Sequence, residues 1–184
     1  LLGHVLATAR ELHPAHVIAV VRHERDRVAA VIGETLPETV VVDQDDVPGT
    51  GRAVEVALGA LPGDFAGDVV VVSGDVPLLD AGTLGRLLEA HRAAHSAATL
   101  LSAVLDDATG YGRIIRGADG LVDRIVEQKD ANESELSITE INSGSYVFAA
   151  PLLREELPKV RIANAQGEKY LTDVVGMLRA AGKA

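Results

Sequence analysis

Apolar residues at Leu2, Val5, Leu6, Ala9 and Leu12 recur at helical spacing, so the chain is expected to open on an amphipathic helix. A short β-branched run, His16–Val21, then predicts a buried strand. Arg25–Gly33 predicts a second helix ended by Gly33, and Thr39–Val42 a second strand. The alternation continues with a helix over Arg52–Leu61, a strand over Asp68–Ser73, a helix over Ala81–His95 and a strand over Ala98–Val104. These strands are almost continuously apolar, whereas a sheet with one wet face alternates polar and apolar positions. Strands buried on both faces and separated by helices form βαβ units. The expected architecture is therefore α/β, a Rossmann-like, mostly parallel sheet flanked by helices.

The texture changes after Asp106. Gly112–Arg116, Leu121–Glu127 and Ser143–Phe148 predict strands joined by loops, with Ala118-Asp119-Gly120 as a hairpin turn. Helices over Leu152–Leu157 and Leu171–Ala181 close the chain, which thus adds a β-rich part to the α/β body. No internal repeat or low-complexity linker divides it. The chain opens Leu1-Leu2-Gly3, without Met and inside an apolar-periodic segment, which predicts one domain over 1–184 trimmed at its start.

Composition narrows the class. With 184 residues, 47% hydrophobic and 24% charged, the chain is expected to fold around a core. Aromatics make up only 3%, so that core must be small and aliphatic. The absence of Cys excludes disulfides and thiolate metal sites and suits a reducing, cytoplasmic setting. No apolar run approaches the roughly 20 residues of a membrane helix, no secretory signal is visible at the start, and no membrane is expected as a partner. A net charge of −10 argues against nucleic acid, whose phosphates are bound by basic surfaces. It leaves open a small phosphorylated ligand held by backbone amides and a metal.

Several short motifs carry candidate chemistry. Gly49-Thr50-Gly51 lies between a strand and a helix, where glycines let a backbone approach a ligand and a helix N-terminus favours negative charge. The same tripeptide reads equally as a plain turn with Thr50 as the N-cap. Gln44 lies just past a strand end, and its amide can complement a uracil edge or simply face solvent. Gly74-Asp75 follows a strand directly. Ligands of open α/β sheets sit beyond such carboxyl ends, so Asp75 is the candidate Mg²⁺ ligand, against the plainer reading of a turn Asp. Gly110-Tyr111-Gly112-Arg113 offers a backbone amide to a sugar or merely makes a bulge. Glu127, with Lys129 and Asp130, ends a strand, and Glu140 and Asn142 open another. Such groups hydrogen-bond sugar hydroxyls, although Glu140 and Lys129 taken singly read as surface ion-pair partners. Tyr170-Leu171-Thr172-Asp173 opens the last helix, where Thr172 and Asp173 also suit capping. No Ser/His/Asp set appears, and the six His residues are read as structural.

In order along the chain these blocks are Gln44 with Gly49-Thr50-Gly51, Gly74-Asp75-Val76-Pro77-Leu78, Gly110-Tyr111-Gly112-Arg113-Ile114, Ile125–Ala131, Glu140–Gly144 and Asn164–Asp173. Together they resemble the uridyltransferase domain of the bacterial bifunctional enzyme of UDP-N-acetylglucosamine synthesis, from Leu2 to about Ala181. The resemblance implies the nucleotide-diphospho-sugar transferase fold and the joining of UTP to N-acetylglucosamine 1-phosphate with release of pyrophosphate, a step in cell-wall precursor synthesis. It implies that Gln44 reads uracil, that Gly49 and Thr50 close around the base, and that Asp75 binds Mg²⁺. Gly112, Glu127, Asn142 and Thr172 would hold N-acetylglucosamine 1-phosphate, with Tyr170 lining its pocket.

By the same likeness, the phosphate loop with its Arg and Lys would precede Leu1, so no catalytic residue is assigned within the chain. A second Mg²⁺ ligand, an Asn, and a β-helix acetyltransferase domain would follow Ala184, and that domain would make the full-length protein a homo-oligomer. Arg52 stands where the family commonly has His, and Lys169 where it commonly has Tyr. The alternatives are another sugar-1-phosphate nucleotidyltransferase, thymidylyl or uridylyl, and a non-catalytic UDP-sugar binding module. A dehydrogenase is improbable, because no Gly-x-Gly-x-x-Gly follows a strand.

Overall fold

The computed structural model describes residues 2–75 and 79–183. Helix α1 (Leu2–Glu11) leads into strand β1 (Ile18–Val21), then α2 (Arg25–Thr35), β2 (Val40–Asp43), α3 (Thr50–Gly59), β3 (Asp68–Val71), α4 (Ala81–Ala94) and β4 (Ala98–Val104). The β-rich part supplies β5 (Arg113–Arg116), β6 (Val122–Val126), a short α5 (Glu133–Leu136) and β7 (Glu140–Ala149). Helix α6 (Ala150–Glu156), a 3-10 turn (Leu157–Lys159) and α7 (Thr172–Ala180) end the described chain. Every element expected from the spacing is present, with ends displaced by up to about three residues, as helix and strand termini commonly are.

Two boundary differences have clear causes. Helix α2 runs through Gly33 to Thr35, because a helical glycine costs only about 1 kcal/mol. What stops it is Leu36, whose N–H bonds the Ile32 carbonyl at 2.8 Å, with Pro37 next in line. Helix α3 starts two residues before the expected Arg52, with Gly49 rather than Thr50 at the cap position. Short helix α5 was not expected. Asn132 makes it, accepting from the Glu135 N–H while the Glu135 side chain returns to the Asn132 N–H.

β1 and β2 pair in parallel, in register from Ile18 opposite Val40 to Val21 opposite Asp43. In the five-stranded sheet, β7 is the centre. β3 lies along its later half and β4 along its other edge, both antiparallel to it, so β3 and β4 run parallel to one another. β5 and β6 form the hairpin expected around Ala118-Asp119-Gly120, with Gly120 at a φ of 79°. The α/β class with a β-rich part holds. Strand β7 pairs antiparallel with β3, β4 and β5, and at ten residues it is longer than the expected Ser143–Phe148.

The main core gathers Tyr146 and Phe148 of β7, Leu153 of α6, Ile114, Ile125, and Val174 and Leu178 of α7. A second, smaller core holds Leu6, Val21, Ile32 and Leu36 between α1, α2 and β1. Tyr146 and Phe148 are the aromatics of a core otherwise built from aliphatic side chains. Among the described residues no helix is long and apolar enough to cross a membrane.

Candidate functional site

Antiparallel pairing with β7 fixes the first half of the site. The Asn142 N–H donates to the Gly112 carbonyl at 2.9 Å, placing the start of β5 beside the start of β7. Gly112 is buried, and a Cβ there would lie 3.3 Å from a Glu127 carboxylate oxygen. A side chain at this position would therefore crowd the Glu127 carboxylate. Arg113, buried, donates to the Tyr111 carbonyl and holds the turn before Gly112. The Asn142 amide donates to the Tyr146 hydroxyl at 2.6 Å, and its carbonyl oxygen accepts from the Gly144 N–H.

Helix α7 brings the rest. The Thr172 hydroxyl, almost fully buried, donates to Glu127 at 3.1 Å. Burial pushes the Glu127 carboxyl above its ordinary value; the Thr172 hydrogen bond opposes this, while Asp130, Asp173 and Glu168 add to it. Asp173 is likewise raised, by burial and then by Asp130. Burial also takes the Tyr146 phenol up to about 12, with Asn142 opposing and Glu127 contributing. Tyr170 is buried, and its hydroxyl accepts from the Gln166 amide at 2.8 Å. Asn164 organises the loop between them: its carbonyl oxygen accepts from the Gln166 and Glu168 N–H groups, and its amide donates to the Glu168 carbonyl.

Glu127, Tyr170, Thr172 and Asp173 line an open cleft of about 890 Å³, which also exposes Asp130 and Asn164. Its walls carry carboxylate acceptors, Glu127, Asp130 and Asp173 among them, together with the cationic donors Lys159, Arg161 and Arg179, so a ligand carrying both hydroxyls and anionic oxygens complements them. A smaller cavity of about 250 Å³, lined by Leu100, Val122 and Leu178 among others, contains none of the expected site residues.

The Gly49 loop joins this cleft through Lys169. Gly51 N–H donates to the Lys169 carbonyl at 2.8 Å, Lys169 N–H donates to the Pro48 carbonyl at 2.9 Å, and Leu171 N–H donates to the Thr50 hydroxyl at 3.3 Å. Gly49 has a φ of 113° and lies so near Lys169 that a Cβ would meet its backbone. The Gln44 amide donates to the Val47 and Gly49 carbonyls at 2.9 and 3.2 Å. Both amide hydrogens brace the loop, which leaves the side-chain oxygen to accept.

The two departures from the family pattern meet in one ion cluster. Lys169 donates to both Glu55 oxygens at 3.0 Å, and Arg52 bridges Glu55 at 2.6 Å and Asp45 at 2.5 Å. Burial works against the Glu55 charge, but hydrogen bonds from Arg52 and Lys169 outweigh it and hold the carboxyl below its ordinary value. Asp45 and then Glu55 raise the Arg52 guanidinium. Sequence reasoning missed Glu55 and Asp45. Spacing alone offers Arg52–Glu55 as an i,i+3 pair, whereas Lys169 lies 114 residues from Glu55.

Asp75 stands apart. It is exposed, beyond the end of β3, and none of the ion pairs among the described residues engages it. Val71 pairs with Tyr146, so the chain beyond it runs toward the Asn142 end of β7. Val76, Pro77 and Leu78 of this motif lie outside the described residues. Glu140 pairs with Arg116 at 2.6 Å and accepts from Ser102, which matches its plainer reading as an ion-pair partner, whereas Lys129 donates to the neutral Gln166 side chain and the ion pairs among the described residues do not include it.

A parallel strand pair and an antiparallel five-stranded sheet thus frame an open cleft beside a glycine loop. Solved structures share the fold. A UDP-glucose pyrophosphorylase complexed with UDP-glucose superposes with a TM-score of 0.73 at 14% identity, over 97% of this chain and 74% of that one. A putative glucose-1-phosphate thymidylyltransferase from Bacillus anthracis gives 0.75 at 17%, over 98% and 70%. The chain belongs to the MobA-like NTP transferase domain family, whose model matches residues 1–176. Curated relatives are named bifunctional protein GlmU. That of Leifsonia xyli is 65% identical over 181 residues, 98% of this chain, and that of Clavibacter sepedonicus 58% over 182 residues, 99% of it. The chain spans 37% of the length of each.

Proposed function

We propose that the chain is the uridyltransferase part of a bifunctional enzyme, joining UTP to N-acetylglucosamine 1-phosphate to give UDP-N-acetylglucosamine and pyrophosphate. The observation that carries this reading is the union of two half-sites. The Glu127–Thr172 pair faces the open cleft, and the glycine loop is clamped to Lys169, three residues before Thr172 and next to Tyr170. Sequence identity to the GlmU relatives supports it over nearly the whole chain.

In this reading Glu127, Asn142 and the Gly112 backbone hold the sugar, whose hydroxyls donate to the Glu127 carboxylate. Tyr170 and Thr172 close its pocket. The free Gln44 oxygen accepts from a uracil N–H, while Gly49 and Thr50 border the base. A sugar-phosphate oxygen, already anionic, attacks the α-phosphorus of UTP; the bond to the bridging oxygen breaks, and pyrophosphate leaves with its electron pair. No general base is needed, so the protein's part is alignment of the two substrates.

Asp75 suits Mg²⁺. Its carboxylate is exposed and free of the ion pairs described, and among the described residues no three His, Cys, Asp or Glu side chains gather into a metal cage. One carboxylate with phosphate oxygens and water is the usual setting of this ion. When bound, Mg²⁺ supplies charge neutralisation at the phosphates. The test is a pyrophosphate-release assay on the intact gene product with UTP, CTP and dTTP against N-acetylglucosamine, glucose and galactose 1-phosphates. Preference for UTP with N-acetylglucosamine 1-phosphate is expected. Preference for dTTP with glucose 1-phosphate would replace the reading by a thymidylyltransferase, and ligand binding without pyrophosphate would leave a binding module.

A further inference from the structure

We infer that Lys169, acting through Glu55, is a positioning residue for the nucleobase loop, an inference that rests on the reading above. The loop 45–51 has few internal supports. It is held from outside, by Gln44 donating to the Val47 and Gly49 carbonyls, by Arg52 gripping Asp45, which in turn accepts from the Val47 N–H at 3.2 Å, and by the Lys169 backbone gripping Pro48 and Gly51. Glu55 ties these two grips together, because it carries Arg52 on one oxygen and Lys169 on both. Lys169 is only 7% exposed, so its ammonium has exchanged most of its water for this one carboxylate.

The sugar side of the same segment is fastened differently. Asn164 bonds hold the 164–168 turn, Gln166 holds Tyr170, and Thr172 holds Glu127, none of them through the Lys169 side chain. Losing the ion cluster therefore loosens the base loop while leaving the sugar contacts standing. Arg52 and Lys169 thus stand together over one carboxylate, and both hydrogen-bond its charge.

The test separates positioning from stability. Removing one partner of a buried pair strands the other charge, whereas removing both relieves it. In the intact gene product, Glu55→Ala should lower Tm most. Glu55→Ala/Lys169→Met should recover most of that Tm, yet keep KM for UTP raised by on the order of tenfold, with KM for the sugar phosphate within about twofold and UTP-over-CTP preference reduced. Lys169→Arg should restore both. A KM for UTP that recovers together with Tm, or a Lys169→Met variant with unchanged KM and preference, overturns the inference. If the wild type turns over a different nucleoside triphosphate, that nucleotide replaces UTP in the same comparison. A wild type that releases no pyrophosphate from any of them overturns the functional reading and this inference with it.

Discussion

Gly49→Ala is the sharpest perturbation the structure offers. Gly49 has φ 113° and ψ 154°, a backbone region that is essentially reserved for glycine and costs other residues about 1–3 kcal/mol. The added methyl would also press on the Lys169 carbonyl oxygen and lie 2.6 Å from its nitrogen. Both atoms are backbone and cannot swing away as a side chain would. Forcing the methyl in place adds roughly 1–3 kcal/mol of overpacking. The alternative is to let the loop lift off, which forfeits the bonds from Gly51 N–H and to the Pro48 carbonyl, about 0.5–1.5 kcal/mol each. The second route is cheaper, so it wins. The fold should survive at a cost of about 1–3 kcal/mol, while the base loop no longer lies on the segment that carries Tyr170.

At this chain length 1 kcal/mol corresponds to about 2–4 °C in Tm, so a loss of roughly 2–12 °C is expected. KM for UTP should rise more than KM for the sugar phosphate, because Gly112, Glu127 and Asn142 are untouched. Thermal unfolding followed by circular dichroism, beside initial-rate kinetics with each substrate varied, measures both. An alanine variant with unchanged Tm and unchanged KM for UTP would refute the close approach and the clamp built on it.

Two further outcomes are expected. Glu127 holds its proton to higher pH folded than unfolded, so its contribution to stability is present below its ordinary value of 4.5 and is lost as pH rises through the folded value. Glu127→Gln should therefore stabilise the ligand-free protein at pH 7 by roughly 0.5–2 kcal/mol while weakening sugar-phosphate binding; a lower Tm in this variant contradicts the burial argument. Asp75→Asn, at an exposed position, should leave Tm within about 2 °C and remove pyrophosphate release at saturating Mg²⁺, and wild-type turnover would detach Asp75 from the metal.

The elements were legible because hydrophobic spacing reports burial, and burial here follows the elements closely. Ala98–Val104 is recovered with both ends in place. The direction of β7 was not legible. A run such as Ser145–Phe148, buried throughout, is the same whichever way its neighbours run, so periodicity shows that a strand is central without showing that it is antiparallel. Helix α5 was missed because four residues are too few for a period, though its Asn132 and Glu135 capping pair was readable in principle.

The candidate site divides along the same line. The half around Gly112, Glu127, Asn142 and Thr172 was visible as motifs, each being a few consecutive residues at an element end that the fold then folds back on the next. Lys169 and Arg52 were visible only as oddities, one in a loop and one on a helix, where a charge is ordinarily solvated. What gives them meaning is Glu55, which spacing marks only as an i,i+3 partner of Arg52 and which lies 114 residues from its lysine. A buried cation is affordable only beside an anion, so the sequence predicts that a partner must exist once burial is known, but burial of a loop residue is itself a property of the assembled chain. For such pairs the inference runs from structure back to sequence: Lys169 with Glu55 and Arg52 should be exchanged together or kept together, and a change at one alone should cost stability.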